Sequence, residues 1–204
     1  MISTGVAKYL LPLLLLVTPS VYADDSVAEV YAFFDEVTGL GIELPKAWER
    51  RDPGDTKRAM LEANERFWRR PASGGLDKSD VIFLALASPY QGSDKTRSFL
   101  SCVGSPIPPA MKDIQPSYVK GLLENHIQST FGVYERDVTI SDASRIDISG
   151  KEAYRLSVLK RNNASGSSLF VGLLAKGRLI ICSGGYDSTF KSAVERSLKS
   201  IRFE

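Results

Sequence analysis

The chain has almost no histidine. His126 is the single one among 204 residues. It sits inside an amphipathic segment, and the only potential ligand nearby, Glu124, would point elsewhere on a helix. That is the setting of a boundary histidine, not of a metal ligand or a general base. Cysteine is nearly as scarce: Cys102 and Cys182 stand far apart, and without a CxxC pair a thioredoxin-like exchange activity has no support. A GxSxG elbow is missing, and the SGG at 183–185 follows a strand pattern inside a meander, not a strand-to-helix turn. Neither a Walker loop nor a GxGxxG occurs; the GxG of TGLGIE precedes a strand, the wrong context for a dinucleotide. Charge blocks are absent too. With 26 Lys and Arg against 24 Asp and Glu, nothing tracks a phosphate backbone, and nucleic acid is not an expected partner. No cofactor and no metal are expected.

What is present begins with a leader. MISTGVAKYLLPLLLLVTPSVYADD carries one cation, Lys8, then an apolar run over 9–17, a break at Pro19 and Ser20, and the small-residue pattern Val21-Tyr22-Ala23. This reads as a signal peptide over residues 1–23, too short to remain as a membrane span. No cysteine stands at the cleavage point and no apolar tail closes the chain, so neither a lipid anchor nor a second membrane anchor is expected. The expected mature form, residues 24–204, is one domain without a membrane span, in the periplasm or secreted. The 43% apolar residues suffice for a core. Export permits a disulfide between Cys102 and Cys182; the alternative is two buried thiols.

Periodicity then divides the chain. SVAEVYAFFDE fits a short helix or the lead-in to a strand. Leu40, Ile42 and Leu44 alternate with Gly41 and Glu43 as a half-buried strand, Pro45 stops it, and Trp48 follows where a large ring could close the core. A helix is expected near 56–69, capped by Asp55 or Thr56, with Met60, Ala63 and Phe67 on one face. VIFLALA (81–87) and FLSCV read as strands, and SPIPP (105–109) as a rigid turn. A second helix is expected near 116–130, with Val119, Leu122, Leu123, Ile127 and Phe131 in its stripe. From 133 the period becomes two: one or two strands to 148, another through Tyr154, Leu156 and Val158, and a hairpin around Lys176-Gly177. A last helix near 188–199 carries Phe190, Ala193, Val194 and Leu198 on one stripe. The turns of the meander are too short for βαβ crossovers, so the sheet should be mostly antiparallel and the class α+β.

Few side chains suggest a site. Glu135, Asp137, Asp142 and Asp147 read as a solvated strand face, with a weak cation site or an acidic partner-facing patch as the other reading. Asn163-Ala164-Ser165 matches the glycosylation acceptor pattern. Trp68, Arg69 and Arg70 combine residues suited to stacking and carboxylate recognition; the plainer reading of Trp68 is a ring covering the core edge. Trp48 and Tyr90 are further candidates for lining a pocket.

The strand GLGIELPKAW (39–48), with its turn, strand, Pro and Trp, resembles the opening of the PsbP-like proteins and their relatives, the DcrB-like envelope proteins and the Mog-type fold. ISGKEAYRL (148–156), a hairpin, and STFKSAVERSLKSIRF (188–203) resemble their closing pattern of strand, terminal helix and short strand. The resemblance implies a three-layer α/β/α sandwich around a mostly antiparallel sheet. It implies action through protein surfaces, as an accessory or assembly factor, and brings no catalytic residues. Residues 50–100 look enlarged against that pattern. The expected function is a non-enzymatic, protein-binding accessory factor of the cell envelope. The alternatives are a small-molecule module with a pocket between the inserted helix and the sheet, and an unrecognised hydrolase.

Overall fold

The computed structural model describes residues 29–59, 80–87, 98–107, 113–131, 138–160, 167–187 and 189–204. The leader, most of the first expected helix, Tyr90 and Asn163 lie outside them.

All strand pairs among the described residues are antiparallel. β1 (Val30–Asp35), β2 (Leu40–Pro45) and β11 (Arg202–Phe203) form a small sheet in the order β1-β2-β11. β3 (Glu49–Arg51), β4 (Asp80–Leu86), β5 (Phe99–Pro106), β6 (Val138–Ile140), β7 (Ser144–Ile148), β8 (Lys151–Lys160), β9 (Ser167–Ala175) and β10 (Arg178–Tyr186) form a large one. Its order is β3-β4-β5-β10-β9-β8-β6, and β7 shares the edge of β8 with β6. The ambiguous opening segment is therefore a strand. The last strand returns to the second, because Phe203 pairs with Leu40 and Arg202 with Gly41.

Alternation along the large sheet builds two cores. One face carries Phe83, Leu100, Leu169, Val171, Leu173, Ile180 and both cysteines. The small sheet and α3 (Lys191–Lys199) cover it through Leu40, Ile42, Leu44, Val194 and Leu198. The other face carries Tyr154, Leu156, Val158 and Phe170, covered by Val119, Leu123 and Ile127 of α2 (Tyr118–Phe131). The result is a three-layer α+β sandwich, the expected class, with a small sheet sharing one outer layer with a helix. Gly172 lets α2 approach closely, since a Cβ there would stand 3.3 Å from Val119 Cγ1.

The first helix, α1, is described over 53–59 and starts earlier than expected. Asp52, not Asp55 or Thr56, caps it: its Oδ1 accepts from the Asp55 amide at 2.9 Å, and Pro53 occupies the first turn, where it sacrifices no hydrogen bond. The expected turn at 105–109 also shifts, because β5 runs on to Pro106, which pairs with Arg178. The tail of α3 is tied to β2 through Ser200, whose Oγ accepts from the Glu43 amide at 2.8 Å and donates to the Ser197 carbonyl at 2.7 Å.

Candidate functional site

The β1–β2 turn is pinned from several sides. Asp35 Oδ2 accepts from both the amide and the hydroxyl of Thr38, and the Asp35 carbonyl accepts from the Gly39 amide at 2.8 Å. Gly39 adopts φ +71°, a conformation open to glycine and strained for other residues. Its carbonyl then accepts from the Glu204 amide at 3.1 Å, fixing the turn to the chain's last residue.

This rigid turn displays apolar side chains outward. Phe33 packs inward, edge-on to Phe83 at 5.2 Å between ring centroids. Its neighbour Phe34 points the other way, 43% exposed, and Val37 at the turn is 67% exposed. Both border a groove of about 380 Å³ that runs against α1 and β4, with Pro53 and Ile82 in its walls. Charge rims it. Arg50 lies over the Phe33 ring at 4.8 Å, a cation–π geometry. Arg178 Nη1 donates to Asp80 Oδ2 at 2.7 Å, and Lys57 Nζ stands 3.7 Å from the other Asp80 oxygen. Burial pushes the nearby Tyr31 hydroxyl up from its ordinary pKa, against a smaller opposing effect of Arg50. An apolar patch on a stiff turn with a rim of both signs has the layout of a protein contact surface.

Those residues singled out in the sequence that are described do not line this groove. Trp48 is buried, 4% exposed, with its ring edge-on to Phe190 at 5.7 Å. It closes the core between β2 and β3 and presents no face to a partner; among the described residues its Nε1 has no hydrogen-bond partner. Trp68, Arg69, Arg70 and Tyr90 lie outside the described residues. His126 falls in α2. Asp142 and Asp147 are exposed on loop and strand, and Asp147 Oδ1 accepts from the Gly150 amide, a turn role; Glu135 and Asp137 are outside the described residues. Among the described residues no group of three or more His, Cys, Asp or Glu could hold a metal ion. No described helix is long and apolar enough to cross a membrane. Cys102 and Cys182 face each other in register on β5 and β10 and are joined as a disulfide.

Phe34 and Val37 escaped the sequence reading. In VYAFFDEV adjacent Phe33 and Phe34 fall on opposite faces of a strand, a pattern that equally fits a strand buried on both sides, so it does not mark Phe34 as exposed.

Neither a protein-family profile nor the sequence of a curated protein matches the chain. Among solved structures, the cyanobacterial PsbP (CyanoP) from Synechocystis sp. PCC 6803 is similar at a TM-score of 0.55 and 18% identity, over 87% of this chain and 94% of that one. At that identity the likeness is one of fold, and the fold of this chain is PsbP-like.

Proposed function

We propose that the chain is a non-enzymatic, exported accessory protein that holds a protein partner at the groove beside the β1–β2 turn. The observation that carries the reading is the pair Phe34, near the end of β1, and Val37, in the pinned turn that follows, 43% and 67% exposed. Large apolar side chains held out by a rigid backbone lose little conformational entropy on docking, and exposed apolar patches mark interaction sites. The accessory role is the one the sequence resemblance implies, and the PsbP-like fold agrees with it. The leader supports export after loss of residues 1–23, with residues 24–204 acting as one domain in the periplasm or outside the cell. Trp68, Arg69 and Arg70 supply further candidate contacts, as Trp and Arg are favoured at hot spots.

The test is affinity capture from the envelope and secreted fractions with three baits: wild type, Phe34→Ser/Val37→Ser, and Trp68→Ala/Arg69→Ala/Arg70→Ala. The expected result is a partner lost by the first variant at an unchanged thermal midpoint. Loss by the triple variant alone would move the surface to residues 68–70. A co-purifying small molecule in place of a protein would favour the small-molecule reading.

A further inference from the structure

A second cavity, sharing no residue with the groove, lies between α3 and strands β7 to β9. We propose that this pocket of about 200 Å³ binds a free α-amino acid with a branched aliphatic side chain. Its floor is aliphatic and already packed: Ile148 from β7, Leu169 and Val171 from β9, and Leu198 from α3, all buried. At the mouth stand Arg155 from β8 and Glu195 from α3, both half-buried. Among the described residues neither has an ion-pair partner, although they line one cavity and carry opposite charges. Both also bear on the Tyr186 hydroxyl, where Glu195 raises and Arg155 lowers the pKa that burial has already pushed up.

A half-buried guanidinium without a carboxylate gives up hydration and receives little in return. A ligand carboxylate restores the balance with paired, charge-assisted hydrogen bonds. Glu195 makes the matching demand for an ammonium. One small molecule answers both and also fills an aliphatic floor: an α-amino acid, with its carboxylate on Arg155, its ammonium on Glu195 and its side chain against Leu169, Val171 and Leu198. Size agrees, because the cavity falls below the roughly 300–1,000 Å³ of sites for drug-sized ligands. The outer rim adds Asp147 and Lys199, one of each sign and both exposed. That balance favours a zwitterion over a phosphate ester or a dicarboxylate.

The experiment is an amide chemical-shift titration of the purified protein with leucine, leucinamide and N-acetylleucine. Leucine should give saturable shifts at Arg155, Leu169, Val171 and Glu195, while leucinamide, lacking the carboxylate, and N-acetylleucine, lacking the ammonium, should each bind about tenfold more weakly or worse. Arg155→Gln and Glu195→Gln should each weaken leucine by a similar factor at an unchanged thermal midpoint, and Arg155→Lys should recover only part of the loss, because the bidentate fork is gone. If a variant fails to fold, the three-ligand series on the wild type decides alone. Absence of saturable shifts with leucine, or N-acetylleucine binding as tightly as leucine, overturns the proposal.

Discussion

Val194 of α3 rests directly on Gly184 of β10, where the sheet offers no side chain. A Cβ at 184 would collide with Val194 Cγ1 and stand 3.2 Å from Leu100 Cδ2. Gly184→Ala should therefore push α3 off the sheet and cost about 1–3 kcal/mol, the range for overpacking a filled core. Gly172→Ala should cost less, because its nearest obstacle is one methyl of Val119 at 3.3 Å. Denaturant unfolding of the two variants checks the order. Equal losses would mean that α3 yields as readily as α2.

Cys102 and Cys182 stand directly opposite in neighbouring strands, with Cα atoms 4.1 Å apart and no solvent exposure. The bond joins positions 80 residues apart, for which the loop-entropy account allows up to about 4–5 kcal/mol. Thiol titration of denatured, unreduced protein should find no free thiol, and Cys102→Ala/Cys182→Ala should lose about 2–4 kcal/mol of stability. Two titratable thiols would contradict the pairing.

The readable parts of this fold were its local parts. The β9–β10 hairpin announces itself because apolar runs flank Lys176-Gly177, and both residues take the positive φ that a tight hairpin turn needs, 46° and 71°. β8 and α3 follow from clean periods of two and 3.6. The pairing of β5 with β10 was not readable, since no local pattern tells which distant strand will be a neighbour; an even cysteine count only permitted it. The meeting of Leu40 with Phe203 is non-local in the same way. The candidate groove was hidden for a different reason. Phe34 is apolar yet faces water, so it blurred the period of β1, and the residue that obscured the strand is the one the site displays.

Tyr186 gives the fold a sensitivity to alkali. Burial, then Glu195, holds its hydroxyl above the ordinary 10.0, against the opposing effect of Arg155. The folded state thus keeps a proton that the unfolded state releases above that pH. This contribution to stability is complete below about pH 10 and is lost as pH rises through the raised folded pKa. Wild-type stability should fall more steeply with alkaline pH than that of Tyr186→Phe, as read from denaturant midpoints across the range. Superimposable curves would show that Tyr186 titrates alike in both states.

The central claim, that the β1–β2 turn is a docking surface, is tested most directly by placing a photo-reactive amino acid at Val37 in cells that express the protein natively. Lys191, exposed on α3, serves as the control position. Irradiation should give one discrete protein adduct from position 37, absent from position 191 and suppressed when Phe34→Ser is added. No adduct at 37, or the same adducts from both positions, would contradict the account.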